Sequence, residues 1–322
     1  MTSEHLARSS FVLRNSTFEM ASLRDIRNRI NSVRSTQQVT RAMKMVAAAK
    51  LRRAQEQIFQ TRPYAYTIGD IVSRLKNRVD ASAHPLLQPH PAVNGVLLIV
   101  VTADRGQAGA FNSNIIKLTE QTIAERFADI QARGGLYLMP IGRKGREYFG
   151  RRNYQIVGDL QGVFDNLRFQ TARAIVDLAV AGYTEGRWDE VYVIYNEFRN
   201  TIAQNRIVEP FLPIPQQRFL TPIMEEQLPR SGEAAVSADL IFEPDPAQIL
   251  DILVPRYLGY QMWRVLLESN AAEQGARMVA MDNATSNAEE ILRDLRLKYN
   301  RARQDAITKE LIEIVSGANA LG

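Results

Sequence analysis

Two long helical patterns, one at each end of the chain, constrain this sequence more than any other feature. From Met20 to about Arg78 the only glycine is Gly69 and the only proline is Pro63. Within that stretch Leu23, Ile26, Ile30 and Val33 follow the alternating three- and four-residue spacing of a coiled-coil seam. Ser22 is placed to cap the start, with Asp25 three residues on in the capping-box position. Beyond Val33 the seam turns polar at Gln37, Thr40 and Lys44, and Val39, Met43, Val46 and Ala47 are expected to carry the apolar face instead. At about 1.5 Å per residue such a helix reaches roughly 80 Å, more than the width of a compact domain of this size, so it is expected to project.

The other end mirrors this pattern. Asp245-Pro246 reads as an N-cap and first helical position, and the helical period then runs to about Asn319. Leu292, Leu295, Tyr299, Ala302 and Ala306 lie on one seam, followed by Leu311, Ile314, Val315 and Ala318. Pro255 is expected to kink this helix or open a local gap, and Gly259 to loosen it nearby. Two such helices at opposite ends predict one antiparallel coiled coil with the middle of the chain attached at one end.

That middle has an α/β rhythm. Gly95–Thr102, Gly135–Ile141, Tyr154–Val157 and Glu190–Tyr195 read as strands. Helices are predicted over 112–132, after Arg143, and over 165–182. The alternation predicts a largely parallel, three-layer domain, with a hairpin-like segment after Asn196 and a surface loop at 228–238. The expected organisation is therefore a tail or upstream start at 1–19, an N-terminal coiled-coil helix at 20–79, a Rossmann-like α/β domain at 80–244 and a C-terminal coiled-coil helix at 245–322. The tail mixes polar and scattered apolar residues without a period. Glu4 and Glu19 speak against a transit peptide there.

Composition narrows the chemistry. There is no cysteine, which excludes disulfides, thiolate catalysis and cysteine-held metals. The three histidines, His5, His84 and His90, are too few and too scattered to suggest a histidine metal cluster. The longest apolar run, Val96–Val101, is far shorter than the about 20 residues that span a bilayer. Net charge is only +5, but ten Lys/Arg between Met20 and Arg62 stand against Asp25 and Glu56, a local net of +8. A stretch of this kind suggests an acidic partner: nucleic acid, lipid headgroups or an acidic protein surface. The C-terminal helix is nearly neutral, with nine Lys/Arg and ten Asp/Glu from 246 to 322. Its Arg293, Arg296, Lys298, Arg301 and Arg303 form a basic band before Glu310 and Glu313.

One loop invites a cofactor reading. Thr102-Ala-Asp-Arg-Gly-Gln-Ala-Gly-Ala-Phe-Asn112 joins a strand to a helix, a place where phosphates are cradled. It matches neither GxGxxG nor GxxxxGK followed by Ser or Thr, and no partner acid of the dinucleotide fingerprint stands out. Asp104 and Arg105 are expected to serve a structural or interface role, and Gly142-Arg-Lys-Gly145 likewise lacks a phosphate loop's spacing. No cofactor is predicted. Two rival readings are a Rossmann-type enzyme, which would bind nucleotide by itself, and a basic coiled coil on nucleic acid, which would bind duplex DNA with a steep salt dependence.

The stretch Ala21–Leu51 resembles the opening helix of F-type ATP synthase gamma subunits almost throughout, including Arg41-Ala-Met-Lys-Met-Val-Ala-Ala-Ala-Lys-Leu51. Ile307-Thr-Lys-Glu-Leu-Ile-Glu-Ile-Val-Ser-Gly-Ala-Asn-Ala320 is similar to that family's C-terminal signature. Glu243-Pro-Asp-Pro246, Ala276–Met281, Tyr299–Gln304 and the Thr102–Gly106 loop resemble it in order and spacing, so the resemblance covers about 20–321. The departures are the first 19 residues, Pro255 and the proline-rich stretch around 210–229.

The resemblance implies a non-catalytic, rotating central stalk of a proton-translocating complex. Its coiled coil would sit inside a ring of three alpha and three beta subunits, and its α/β domain against the membrane c-ring and the epsilon subunit. It implies no nucleic acid, no membrane span of its own, and a place on the cytoplasmic side of a bacterial inner membrane. By motif position, Met43 and Lys44 are implied to face an acidic loop of the beta subunits. Arg277, Arg303, Gln304 and Thr308 would form polar contacts near it, with Glu310 and Glu313 further towards the tip. Glu243 is implied to lie at the foot, near the rotor ring or epsilon.

Overall fold

A computed structural model describes residues 23–76, 84–215, 221–223 and 245–321. The expected tail, the loop at 228–238 and Glu243 lie outside the described residues. By contacts the chain divides into two units, one of the residues up to Ala42 with those from Asp282 onward, the other Met43–Met281. The helix α1 (Leu23–Lys76) and the C-terminal helix, here α6 (Pro246–Leu321), each run through both units.

In the first unit, α1 turns Leu23, Ile26, Ile30, Val33 and Gln37 to its less exposed side and buries Thr40. The facing line on α6 is buried Thr285, Ala288 and Leu292, then half-buried Leu295, Tyr299, Ala302 and Ala306, the seam predicted from the spacing. The expected shift of the apolar face to Val39 and Val46 does not occur: they are 57% and 56% exposed. The three-four spacing simply continues through the polar positions, because a coiled coil keeps its seam in register even where the side chains on it are not apolar. Thr40 stays in the seam by bonding: its hydroxyl meets that of Thr285 at 2.8 Å and donates to the Gln37 carbonyl at 3.0 Å when the Thr285 hydroxyl is the other donor. In the second unit the same spacing on α1 continues through buried Ala47, Leu51, Ala54, Ile58, Ile68, Val72 and Leu75. Leu51, Ala54 and Ile58 pack there against Leu267 and Ala271 of α6.

The Thr40–Thr285 pair yields a direct test. Thr40→Val alone is expected to cost about 1–2 kcal/mol, since it leaves a buried hydroxyl with a poorer set of partners. Thr40→Val with Thr285→Val is expected to cost less than the two single changes together, a coupling of about 1 kcal/mol measurable by denaturant titration. Strict additivity would mean that the two hydroxyls do not interact.

Between the two helices in sequence comes a five-stranded sheet in the order β3-β2-β1-β4-β5. The strands are β1 (Val96–Val101), β2 (Leu136–Ile141), β3 (Gln155–Ile156), β4 (Glu190–Phe198) and β5 (Gln204–Leu212). The first four are parallel and β5 returns antiparallel to β4, as the hairpin-like pattern after Asn196 predicts. All six residues of β1 are buried because both faces are covered. Leu97, Ile99 and Val101 face a core built with α5 (Phe169–Thr184), α6 and the end of α1. Val96, Leu98 and Val100 face α2 (Phe111–Arg126), α3 (Ala128–Ala132) and α4 (Arg143–Phe149). The single helix expected over 112–132 is broken at Phe127, which leaves helical geometry to bury its ring in that second core. Pro210 is accommodated because β5 is an edge strand with a register irregularity beside it.

Helix α6 runs through Pro255 without interruption. Proline removes one intrahelical bond there, but Asp251, whose carbonyl loses its partner, is exposed, so water can serve it. Gly259 is not a loose point. A side-chain carbon on it would stand 3.4 Å from the Phe169 ring of α5, so the glycine marks where α6 presses against that aromatic.

Candidate functional site

The strand order sets the carboxyl ends of β1 and β4 side by side at the point where the winding of the sheet reverses. Open α/β sheets bind their ligands in the crevice outside those ends. In this chain the crevice is filled from within. Ala103, Ala108 and Phe111 pack on Ala272 of α6, with Phe198 and Ala276 against them. A side-chain carbon on Gly275 would come within 3.3 Å of the Phe198 ring, which shows how closely the helix is seated.

The Thr102–Asn112 loop is correspondingly committed to bonds with the rest of the domain. Asp104 accepts from the backbone N–H groups of Arg143 at 3.0 Å, Gly162 at 2.7 Å and Phe164 at 3.0 Å. The Ala103 carbonyl accepts from the Lys144 N–H at 3.1 Å, and the Thr102 hydroxyl from the Gly145 N–H at 2.8 Å. The Gly142 N–H is taken by the Leu160 carbonyl at 2.9 Å. Gly142 has φ of 89°, and a side-chain carbon there would sit 2.2 Å from the Thr102 carbonyl oxygen, so only glycine lets the two loops meet. The amide donors that a phosphate would need at Gly142–Gly145 are thus used internally. The structural role expected for Asp104 has a definite geometry: it splices the loops after β1, β2 and β3. Arg105 contributes an exposed ion pair with Asp165 at 3.1 Å.

Three charged side chains of α6 tie it to this end of the sheet. Arg264 donates through Nη2 to both carboxylate oxygens of Glu209 on β5, at 2.8 and 2.7 Å. Its Nη1 reaches the Tyr195 hydroxyl on β4 at 2.9 Å, and its Nε reaches Gln261 at 3.1 Å. The Tyr195 hydroxyl donates to Glu209 at 2.8 Å. Burial alone would lower the Arg264 pKa, but the Glu209 carboxylate and the Tyr195 hydroxyl outweigh it and raise it well above the ordinary value. Burial pushes the Tyr195 phenol well up, so it stays protonated and bridges the pair. Further along α6, Glu268 accepts from the Phe198 N–H at 3.3 Å. Arg277 bonds Glu273 on its own helix and donates to the Gly106 carbonyl at 2.7 Å.

The residues singled out by motif position fall into two sets. Met43 and Lys44 (both half-buried) and Arg277 (buried) belong to the Met43–Met281 unit, with Arg277 engaged by the loop after β1. Arg303, Gln304, Thr308, Glu310 and Glu313 are exposed on the last turns of α6 in the other unit. The Thr308 hydroxyl donates to the Gln304 carbonyl at 2.9 Å, and Glu313 stands 3.9 Å from Lys309. The Tyr195–Glu209–Arg264 cluster was missed by sequence reasoning. Its one signal is Arg264 standing inside the apolar run from Tyr257 to Leu267. Among the described residues, no group of three or more His, Asp or Glu is placed to hold a metal ion, and no helix is long and apolar enough to cross a membrane.

A sheet whose ligand crevice is filled by a terminal helix, with the two terminal helices paired through a seam that mixes apolar, small and polar residues, defines a coiled-coil protein with an inserted Rossmann-like domain. A family model described as ATP synthase matches residues 22–321. The ATP synthase gamma chain of Salinibacter ruber is 59% identical over 307 residues, 94% of this chain and 99% of that one. Among solved structures, a chain of the Tetrahymena thermophila mitochondrial ATP synthase central stalk and c-ring matches with 26% identity and a TM-score of 0.52, over 76% of this chain and 99% of that chain. A chain of the Euglena gracilis mitochondrial ATP synthase rotor shares the fold, at 18% identity and a TM-score of 0.60, over 88% and 98%. The chain belongs to the ATP synthase gamma chain family.

Proposed function

We propose that this chain is the central rotating stalk of a proton-translocating F-type ATP synthase. It couples proton flow through the membrane c-ring to conformational cycling of catalytic sites on the beta subunits, and carries no catalytic residue itself. The observation that carries the reading is near-complete, 59% identity to a bacterial ATP synthase gamma chain. The filled crevice supports a mechanical rather than a cofactor-dependent role, because α6 occupies the place where this strand order binds ligands.

The surfaces suit a shaft. On α6, Ile307, Leu311, Ile312, Ile314 and Val315 are 50–67% exposed, an apolar end that calls for cover. A sleeve of three alpha and three beta subunits supplies that cover. Arg303, Gln304, Thr308, Glu310 and Glu313, all exposed, are the α6 residues assigned to contacts with that sleeve. Met43 and Lys44 are assigned to the acidic loop of a beta subunit. Glu243 is assigned to the foot, where the domain meets the c-ring and the epsilon subunit. The complex is peripheral on the cytoplasmic side of the inner membrane. Rotation of an asymmetric shaft changes each catalytic site's affinity in turn, a population shift driven by differential contacts.

The test is purification of the tagged chain from its native membranes. It is expected to bring down an ATP-hydrolysing complex in stoichiometric amount. A chain recovered alone, or with nucleic acid, would contradict the reading.

A further inference from the structure

We propose that the buried Tyr195–Glu209–Arg264 cluster is the contact through which turning force passes between the sheet domain and helix α6. The inference rests on the stalk reading above and goes beyond it by naming the force-bearing residues.

A shaft whose domain is turned at one place and whose helices do work at another needs an attachment that resists sliding. Leu258, Met262, Val265 and Leu266 of α6 join the apolar core on that face of the sheet. Apolar contact is non-directional, so a helix can slip or roll a little on it at small cost. The Arg264 contact is different in kind. One nitrogen of a planar guanidinium meets both oxygens of a carboxylate on β5, a second reaches a phenol on β4, and the third is braced from its own helix by Gln261. Side-chain exposure is 4% for Arg264 and 8% for Glu209, so water does not compete for these bonds. A planar group held through all three nitrogens by three partners fixes an angle as well as a distance, which sets both the height of α6 on the sheet and its rotation about its own axis.

Stability alone is a weak reason for the cluster. Replacing a buried ion pair by well-packed apolar side chains is often neutral or stabilising, so a fold built only to be stable has little use for this one. What the pair supplies and apolar packing does not is direction. The Arg277 bond to the Gly106 carbonyl and the Glu268 bond to the Phe198 N–H lie further along the same helix, and they hold it to the same end of the sheet.

The experiment uses membrane vesicles carrying the whole complex with Glu209→Leu and Arg264→Met combined in this chain. The double variant is expected to assemble, to melt somewhat below the unsubstituted complex because the buried Tyr195 hydroxyl loses both partners, and to hydrolyse ATP within about twofold of it when an ionophore removes the load. ATP-driven proton pumping against an opposing gradient is expected to fall about threefold or more, because the directional bonds are gone. Tyr195→Phe, which removes one hydroxyl and leaves the ring, is expected to show a smaller loss in the same direction under load. Unchanged pumping by the double variant beside a pumping unsubstituted complex overturns the proposal and leaves the stalk reading intact. A double variant that fails to assemble, with Tyr195→Phe pumping at the unsubstituted level, also overturns it, by reducing the cluster to a folding role. If the unsubstituted chain is absent from an ATP-hydrolysing complex, the stalk reading fails and the proposal fails with it.

Discussion

Replacing Asp104 with Leu is expected to abolish accumulation of the folded chain. Asp104 is 6% exposed and its carboxylate accepts three backbone N–H groups from two other segments, the loops after β2 and β3. Each donor left unsatisfied in a buried place costs about 1–3 kcal/mol, so the change removes roughly 4 kcal/mol or more. Domain stabilities are about 5–15 kcal/mol, which makes such a loss a large share of the whole. Asp104→Asn keeps one acceptor oxygen and is expected to fold with an intermediate cost of about 1–2 kcal/mol. Soluble yield and denaturant titration of the three chains check the order. If the Leu chain is as stable as its parent, the splice described above does not hold the loops.

The second large effect concerns function. Met43 is half-buried on α1, and it is neutral, flexible and makes no directional bond. The stalk reading sets it beside an acidic loop that passes repeatedly as the shaft turns. Met43→Lys adds a charge-assisted bond available at some rotary angles and not at others, worth about 1–3 kcal/mol. For a rotor that is a trap, since it deepens one angular well and raises the barrier out of it. Proton-driven ATP synthesis is expected to fall about tenfold, with ATP hydrolysis and assembly much less affected. Met43→Leu, which adds no charge, is expected to be nearly silent. Paired synthesis and hydrolysis measurements in vesicles decide it, and equal behaviour of the Lys and Leu chains would remove Met43 from the charged track.

The fold was legible where it is built from local period. The terminal helices, the seam from Leu292 to Ala306 and strands β1, β2 and β4 follow from spacing and apolar runs alone. Legibility failed where a rule about apolar residues met a polar seam. Gln37, Thr40 and Lys44 remain on the less exposed side of α1, and the more apolar Val39 and Val46 point outward. An apolar-only reading cannot see this, because the deciding contact, Thr40 with Thr285, joins residues far apart in sequence. Gly259 failed for the same reason: its meaning lies in Phe169, on another helix. The order of the strands and the filling of the crevice by α6 are also long-range facts, as is the pairing of Arg264 with Glu209. The motif residues, Arg277 among them, were placed by resemblance, and the pairings of Arg264 with Glu209 and of Glu268 with Phe198 could not be found without the tertiary structure.

The central claim is that this chain turns inside its complex, and it can be watched directly. The chain has no cysteine, so Lys117→Cys, at an exposed position on α2, gives it a single chemical handle. With the complex immobilised through its other subunits and a bead attached at that cysteine, added ATP is expected to drive rotation in one direction, in steps of a third of a turn, one for each catalytic site. A complex that hydrolyses ATP at its normal rate while the bead shows only Brownian motion would contradict the account.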